Sequence, residues 1–196
     1  MKDPIEQLHN FWFGALDDIG MPIEDRNELW FGAQQQTDDA CRHRFSGLLV
    51  KALAGELEHW HDTDRGLIAL IVLLDQISRN VHRGDAGAFA GDARALSHSL
   101  RAINDQRHPR LPACHQVFLY LPLEHSEVLA HQNESVRLFD ALATSRNSEA
   151  MQQFARYAHA HRDVIRRFGR FPHRNRVLGR KSSAEELDYL ERHGGF

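Results

Sequence analysis

The stretch Arg65–Asn80, which reads RGLIALIVLLDQISRN, decides the fold of this chain. Eight consecutive apolar residues, Leu67–Leu74, lie at its centre and cover every side of a helix wheel. A helix that is apolar on every side is buried, so the sequence predicts a central helix here, capped by Thr63 or Asp64. The apolar run is too short to cross a membrane, which takes about 20 residues.

Helices are also predicted on both sides of this segment, because apolar residues recur at helical spacing between recognisable caps. The predicted ranges are 4–13, 27–31, Thr37 or Asp38 to Leu53, 92–103, 112–120, 124–144, Asn147 or Ser148 to Phe168, and 184–193. Pro122 is expected to break or kink the chain, and residues 182–186 fit a capping box. No segment alternates for long between apolar and polar residues, so no strand is predicted.

This pattern predicts an all-α fold of about seven to nine helices with short connections. Helices joined by short loops pack as antiparallel pairs, and such pairs stack as a bundle or a solenoid. The length of 196 residues suits one domain, 1–196, with a sizeable core. The chain has no strict repeat of about 34 residues, which is the period of tetratricopeptide arrays.

The composition is that of a folded soluble protein, with 42% hydrophobic and 26% charged residues. The net charge of −3 argues against a general nucleic-acid binder. The N-terminus lacks the apolar run of a signal peptide, and Cys41 and Cys114 have no spacing typical of a zinc site or a disulfide framework. We therefore expect a cytoplasmic protein with two buried cysteines, and neither nucleic acid nor membrane as a partner.

Several motifs for cofactors and catalysis do not occur in the sequence. The chain has no GxGxxG or Walker A loop, no GxSxG elbow, no Cys–His signature and no HExxH motif. His59 and His61 are two residues apart, so on a helix they point to different sides and make a poor metal pair. The sequence therefore predicts neither a cofactor nor a metal ion.

Charge is distributed unevenly along the chain. Residues 1–40 carry a charge of −7, from 9 acids and 2 bases, whereas residues 161–181 carry +7, from 8 bases and 1 acid. This asymmetry indicates either pairing between the two ends of the chain or a local anion site.

The first of three polar segments, 75–80, follows directly on the central apolar run. Asp75 shares a helix face with Arg79, and Asn80 follows where the helix is expected to end. One interpretation is a buried ion pair that holds helices together, since an unpaired buried charge is costly. The other is a carboxylate with a perturbed pKa that lines a pocket.

The second polar segment, 122–127, reads PLEHSE, and Glu124 and Glu127 would share a face if it is helical. The structural interpretation is that acids at the start of a helix are favoured by its dipole. A histidine beside acids, here His125, can instead serve as a proton shuttle.

The third polar segment, 161–175, reads HRDVIRRFGRFPHRN and contains a corner fixed by Gly169 and Pro172. His161 lies on the apolar face of its predicted helix, where it is either a core histidine or an acid–base group. Arginines held on the rigid corner present planar forks that suit a carboxylate or a phosphate. Alternatively, these arginines neutralise acids within the protein. The candidate acids are Asp75, Glu124 and Glu127.

Five stretches of the chain resemble an uncharacterised bacterial family, domain of unknown function 924. They are FWFG, LIALIVLLDQISRNVHRGDAGAF, FLYLPLEHSE, HRDVIRRFGRFPHRN and LGRKSSAEELDYL, so the resemblance covers nearly the whole chain. It implies a tetratricopeptide-like all-α superhelical fold and no established activity. The family's usual form of the first polar motif is LDQFPRN. Here Ile77 and Ser78 replace Phe and Pro, while Asp75, Arg79 and Asn80 are retained.

The three polar segments are expected to close one site. The candidate ligand-binding residues are Asp75, Arg79, Asn80, Glu124, His125, His161, Arg170, His173, Arg174 and Asn175. Arg170 and Arg174 would hold a small anionic ligand, and carboxylates and histidines would supply acid–base groups if the protein is an enzyme. The alternatives are a tetratricopeptide-like surface for a protein or peptide partner, and a buried salt-bridge network with a structural role.

Overall fold

The computed structural model describes residues 3–195, and the regular structure in this range is helical. Its α-helical segments are α1 (Pro4–Trp12), α2 (Asn27–Phe31), α3 (Gln35–Ala54), α4 (Asp64–Ile71), α5 (Ser78–Val81), α6 (Asp92–Asn104), α7 (Ala113–Glu124), α8 (Leu129–Arg146), α9 (Glu149–Phe168) and α10 (Ala184–His193). A π-helical turn, Val72–Ile77, joins α4 and α5 into one continuous helix. Residues 3–195 thus contain nine α-helices and no β-strand, which confirms the predicted all-α class.

Side-chain caps begin three of these helices as predicted. The Thr63 hydroxyl accepts a hydrogen bond from the Gly66 N–H at the start of α4. Ser148 caps α9 in the same way, and Ser183 with Glu186 forms a capping box at α10. Each cap satisfies a backbone N–H that has no partner inside its helix.

The predicted cap of α3 is wrong. This helix begins at Gln35, so both Thr37 and Asp38 lie inside it. Asp38 is buried, and its carboxylate accepts hydrogen bonds from Asn80 and Arg83. Its carboxylate therefore holds α3 to the end of the central helix instead of satisfying the N–H groups of a helix start.

Of the two outcomes expected at Pro122, a break or a kink, the break is wrong, because α7 continues through this residue to Glu124. Proline inside a helix costs about 3 kcal/mol, since it removes one hydrogen bond and crowds the preceding turn. Every residue of α7 is buried, so apolar packing offsets this cost. Glu124 ends α7, α8 begins only at Leu129, and Glu124 and Glu127 therefore do not share a helix face.

The chain forms two compact units. The first contains the described residues up to Arg83 together with Gly87–Pro122. The second contains Gly84–Ala86 and the described residues from Leu123 onward. The single domain expected over 1–196 stays a prediction, and it includes residues outside the described range.

The first unit is built around the continuous helix α4–α5, as the apolar run predicts. Residues Leu67–Ile77 are all buried, and the helix packs against α1, α3 and α6. Removing this apolar surface from water stabilises the unit by roughly 25 cal/mol for each Å². The Ser78 hydroxyl donates to the carbonyl oxygen of Leu74, so its polar group is satisfied inside the helix.

The second unit is built on α8 and α9, which pack along their lengths as an antiparallel pair. Asn147, in the left-handed conformation with φ 44°, ends α8 and leads into α9. The rings of Phe139 and Phe154 stack across the pair at 6.3 Å. Gly169, with φ 69°, ends α9 as predicted and turns the chain into the corner that precedes α10.

Two further sequence predictions concern membranes and cysteines. No helix within residues 3–195 is both long enough and apolar enough to cross a membrane. Cys41 and Cys114 are buried free thiols, as predicted, and burial raises the pKa of each to about 12. Neither thiol is therefore a reactive thiolate at neutral pH.

The approach of α6 to the central helix requires glycine at position 91. A β-carbon there would lie 2.1 Å from the backbone oxygen of Leu74, in the π-helical turn. We expect Gly91→Ala to lower the free energy of unfolding by about 1–3 kcal/mol, because backbone must move to make room. Urea denaturation measures this loss.

Gly47→Ala is the matched control. Gly47 is exposed within α3, and a β-carbon there would meet nothing within 4 Å. Alanine is the better helix former, so this variant should be as stable as the wild type or more stable. Equal stability of the Gly47→Ala and Gly91→Ala variants would contradict the close approach at Gly91.

Candidate functional site

A buried carboxylate–histidine pair lies in the second unit. Glu124, at the end of α7, is 4% exposed, and His161 of α9 is 6% exposed. The Nδ1 atom of His161 lies 3.1 Å from Glu124 Oε1 and 2.9 Å from the carbonyl oxygen of Tyr157. A carbonyl oxygen can only accept a hydrogen bond, so Nδ1 carries the ring hydrogen. In the neutral imidazole, Nε2 is then the unprotonated nitrogen.

His161 is neutral at pH 7. Burial, followed by the charge of the neighbouring His125, lowers the pKa of His161 to about 3. The ring centroids of the two histidines are 6.2 Å apart. A neutral imidazole whose Nδ1–H faces a carboxylate is oriented to accept a proton at Nε2, and the carboxylate stabilises the imidazolium that forms. The pair therefore has the chemistry of a general base.

The ring of Phe171 brings further basic side chains next to this pair. Phe171 is fully buried, and the His161 ring meets it edge-on with centroids 5.6 Å apart. On the same ring, His173 lies 5.6 Å away, and the guanidinium carbon of Arg174 lies 4.5 Å from the centroid. A cation over an aromatic face is attracted by the ring quadrupole, so Phe171 helps hold Arg174 in place.

These side chains are called the histidine–arginine cluster from here on. Its members are Glu124, His125, His161, Phe171, His173 and Arg174. Five of them were predicted as candidate site residues, and the structure brings these five into one chain of contacts. Phe171 was expected from the sequence only as part of the corner motif.

Glu127 fixes the corner that carries the cluster. Its Oε1 accepts a hydrogen bond from the Phe171 N–H at 2.8 Å, and both its oxygens accept from Arg180, at 2.7 and 3.0 Å. Burial raises the pKa of Glu127, but the hydrogen bonds from Arg180 and Phe171 outweigh this effect, so its pKa is lowered. Arg180 also donates to the carbonyl oxygen of Phe171. The carboxylate and the guanidinium thus clamp both sides of Phe171.

Two predicted site residues on the corner bind within the protein. Arg170 donates to both oxygens of Glu186, at 2.6 and 2.8 Å, and these bonds lower the pKa of Glu186 to about 2. Asn175 accepts from the Arg180 guanidinium at 2.9 Å and donates to Ser182 at 3.1 Å. Arg170 and Asn175 therefore hold the corner to α10 and to the segment before it.

The predicted pairing of Asp75 with Arg79 is present in the first unit. Asp75 is fully buried in the π-helical turn, and its Oδ1 lies 3.2 Å from Arg79 Nη1. Arg79 also donates to both oxygens of Asp92, at 2.9 and 3.2 Å. Burial disfavours the charge of Arg79, but Asp75 and Asp92 outweigh this effect and raise its pKa. The Gln76 amide donates to the second oxygen of Asp75.

Asn80, the third candidate in this segment, binds Asp38. Its amide donates to Asp38 Oδ1 at 2.9 Å, and Arg83 donates to both Asp38 oxygens at 2.8 and 2.6 Å. Burial raises the pKa of Asp38, but these hydrogen bonds lower it overall. This arrangement joins the central helix to α3. The predicted convergence of all three polar segments on one site stays a prediction.

Several partners in these networks were missed by the sequence reasoning. Asp92 and Glu186 occupy the first turns of α6 and α10, where acids are explained by the helix dipole alone. The basic stretch 161–181 is paired mainly by acids of its own unit. These pairs are Arg167–Glu185, Arg170–Glu186 and Arg180–Glu127.

Metal binding was tested against the geometry of residues 3–195. In this part of the chain, no group of three or more His, Cys, Asp or Glu side chains is placed to hold a metal ion. The carboxylates described above instead bind arginine, histidine, side-chain amide or backbone N–H groups.

Comparison with known proteins gives a family and a related structure. The family model described as bacterial protein of unknown function (DUF924) matches residues 8–194. No curated protein matches the chain. A solved structure of a protein of unknown function from Agrobacterium tumefaciens is similar to this one, with a TM-score of 0.81 and 32% sequence identity. The similarity covers 96% of this chain and 97% of that chain.

Replacing Glu127 tests whether the corner depends on its carboxylate. We expect Glu127→Gln to lower the free energy of unfolding by about 1–2 kcal/mol, a value reduced because both partners are partly exposed. Because the native pKa of Glu127 is lowered, the same contribution should be lost from the wild type as the pH falls below about 4. Urea denaturation at pH 7 and pH 3 measures both effects.

Asp188→Asn is the control for this experiment. Asp188 pairs with Arg192 one turn along the exposed surface of α10, and such pairs contribute about 0.3–0.5 kcal/mol. A loss for Glu127→Gln that is no larger than the loss for Asp188→Asn would show that the corner does not depend on the clamp.

Replacing Asp75 tests the ion pair at the end of the central apolar run. We expect Asp75→Ala to lower the free energy of unfolding by about 3–5 kcal/mol, because Arg79 and Gln76 lose a buried acceptor. Asp18→Ala, at an exposed loop position, should stay within about 0.5 kcal/mol of the wild type. An Asp75→Ala protein with an unchanged melting temperature would refute the structural role of the pair.

Proposed function

Because the chain belongs to DUF924, a family of bacterial proteins of unknown function, we propose a function from its own residues: the second unit binds a small anion and supports acid–base chemistry on it. The observation that most supports this proposal is the buried Glu124–His161 pair, with Arg174 close enough to affect the pKa of His161. The anion would be a carboxylate or a phosphate, which suits the planar donor fork of arginine.

The balance of charge in the histidine–arginine cluster supports an anionic ligand. Arg174 is permanently charged, and the rings of His125 and His173 add further hydrogen-bond donors. Glu124 lies on Nδ1 of His161, and Glu127 nearby is paired with Arg180. A bound anion would place acceptor oxygens and negative charge beside the basic groups, which is an interaction in favour of binding.

His161 is proposed as the general base, with Glu124 as its positioning residue. In the free protein, the pKa of His161 of about 3 makes it a weak base. An anion bound beside the ring would favour the imidazolium and raise this pKa, so the ligand itself would activate the base. Proton transfer would run from the ligand to Nε2, while Nδ1–H stays on Glu124 and the Tyr157 carbonyl.

A second candidate function is the binding of a peptide or protein partner. The antiparallel pair α8–α9 supports it, because stacked pairs of this kind build tetratricopeptide-like surfaces. We propose the tetratricopeptide-like arrangement for the fold as well. We also propose a cytoplasmic location, which the free, buried thiols of Cys41 and Cys114 support.

Thermal-shift and denaturation measurements with acetate, succinate and inorganic phosphate test the anion site. A ligand that binds only the native state adds about 2.7 kcal/mol to the free energy of unfolding at 100 times its Kd. We expect at least one of these anions to stabilise the wild type. Arg174→Lys should reduce the effect, because lysine keeps the charge and loses the planar fork.

Arg176→Lys is the matched control, since Arg176 is exposed on the same corner. It should keep the full stabilisation. If none of the anions stabilises the wild type, the anion site is refuted. Full stabilisation in both the Arg174→Lys and the Arg176→Lys variants would mean that the anion binds to the general positive charge of the corner, because lysine keeps that charge.

The acid–base role has its own measurement. Calorimetric titration at pH 5, in two buffers of different ionisation enthalpy, reports the protons taken up when an anion binds. We expect uptake of a fraction of a proton by the wild type, because binding raises the pKa of His161. His161→Gln should bind the anion without this uptake. Binding to the wild type with no proton uptake would leave the anion site in place and refute the general base.

A further inference from the structure

Two histidines of the first unit form a hydrogen-bonded pair that is separate from the proposed site. His61 lies in the 3-10 turn Glu58–Asp62 and is 2% exposed, and His98 of α6 is 7% exposed. Their Nδ1 atoms lie 3.1 Å apart. The Nε2 atom of His98 lies 3.2 Å from an oxygen of Glu58, whose side chain is 48% exposed. The three side chains therefore form a continuous path from the surface to a buried ring.

The hydrogens along this path have one favoured arrangement. A carboxylate only accepts hydrogen bonds, so Glu58 requires the hydrogen on Nε2 of His98. In neutral His98, Nδ1 then carries no hydrogen, and its lone pair accepts a hydrogen bond from the Nδ1–H of His61. The remaining nitrogen, Nε2 of His61, is unprotonated, and in the described chain it is buried without a hydrogen-bond partner. Each ring thus carries one N–H hydrogen, and each of these hydrogens is donated in a hydrogen bond: His98 donates to Glu58, and His61 donates to His98.

A third hydrogen on the two rings reverses the bond between them. Protonation of His98 puts a hydrogen on its Nδ1, which must then donate to Nδ1 of His61. His61 can accept this bond only if its own hydrogen moves to Nε2. That change places a donor on an atom that is buried and has no acceptor, which destabilises the packing of the 3-10 turn against α6.

Charged groups of both signs face the pair: Glu58 favours a proton on His98, whereas the arginines disfavour positive charge on either ring. Glu58 faces His98 from the 3-10 turn, where it also binds Arg94 at 2.7 Å. The other facing groups are Arg94 and Arg101 of α6, and Asp105 and Arg107 from the loop that follows α6. Arg107 also donates to the carbonyl oxygen of His61 at 2.7 Å. Three arginines against two acids disfavour a doubly charged pair.

We propose that Glu58, His98 and His61 form a proton relay that takes up one proton from solvent, reverses the hydrogen bond between its two rings, and so makes the first unit sensitive to acid. The relay takes up only a proton, and the proton comes from water. The negative charge of the Glu58 carboxylate offsets the added charge on His98. The number of N–H hydrogens on the rings of His61 and His98 together rises from two to three.

The direction of the pH dependence follows from the native pKa values. Burial lowers the pKa of His61 to about 4 and also lowers the pKa of His98, although Glu58 raises the latter. The unfolded chain, in which histidine has a pKa of about 6.5, therefore binds more protons in the acid range. Stability is fully present above about pH 6.5 and is lost as the pH falls through the native pKa values.

Nuclear magnetic resonance of the full chain with labelled histidine rings tests the relay. At pH 7.5 we expect the Nε2–H tautomer for His98 and the Nδ1–H tautomer for His61. On acidification both rings should change together in one step, and the hydrogen of His61 should move to Nε2. Two independent titrations, or the Nε2–H tautomer on both rings at pH 7.5, would overturn the proposal.

Two variants separate the role of the Glu58 charge from a general charge effect. Glu58→Gln should move the common titration step to lower pH, because the carboxylate that favours the charged form is gone. Glu56→Gln removes the same charge from an exposed position nearby and should leave the step unchanged. An unchanged step in Glu58→Gln, or an equal shift in both variants, would refute the relay. The wild-type tautomers decide the question even if Glu58→Gln does not fold.

Discussion

A helix that is apolar on every side can be stable in water only if other helices cover it completely. In the first unit this constraint falls on Leu67–Ile77, and α1, α3 and α6 meet it. Complete coverage also buries the polar residues at the end of the apolar run. Asp75 is fully buried as a result, and an isolated carboxylate there would be destabilising. The ion pair with Arg79 and Asp92 is therefore a consequence of burying the helix.

The second unit shows how basic groups can be kept close together despite their mutual repulsion. The backbone of Phe171 is held by Glu127 and Arg180 through hydrogen bonds to both its N–H and its carbonyl oxygen. The ring of Phe171 then fixes the positions of His161 and Arg174. Because this clamp lies outside the basic cluster, it fixes the corner without using the side chains of the cluster. We propose that this preorganisation lowers the cost of rearrangement when an anion binds.

The parts of this structure that were predictable are those that depend on local sequence. The ranges of α6 and α10 follow from the periodicity of apolar residues, and the start of α10 follows also from a capping box between residues three positions apart. The helix does not break at Pro122, because the packing of the buried helix α7 outweighs the tendency of proline to end a helix. The acid that pairs with Arg170 was not predicted, for a different reason. Glu186 is 16 residues away along the chain, and a helix wheel relates only residues within one or two turns of each other. The types of residue in the site were foreseeable, but their partners depend on the tertiary fold.

The buried histidines show why partners matter more than burial alone. Burial is the largest cause of the lowered pKa in His9, His61, His115 and His161 alike. His9 bonds the backbone oxygen of Arg65, which orients its ring and supplies no charge to balance an added proton. Within residues 3–195, His61 reaches a carboxylate through His98, and a hydrogen moved to its buried Nε2 has no acceptor there. His161 has the Glu124 carboxylate directly on Nδ1, so the positive charge of a proton added at Nε2 is offset by a carboxylate on the same ring. An equally buried imidazole is thus suited to hydrogen bonding in the first case, to sensing acid in the second and to accepting a proton in the third.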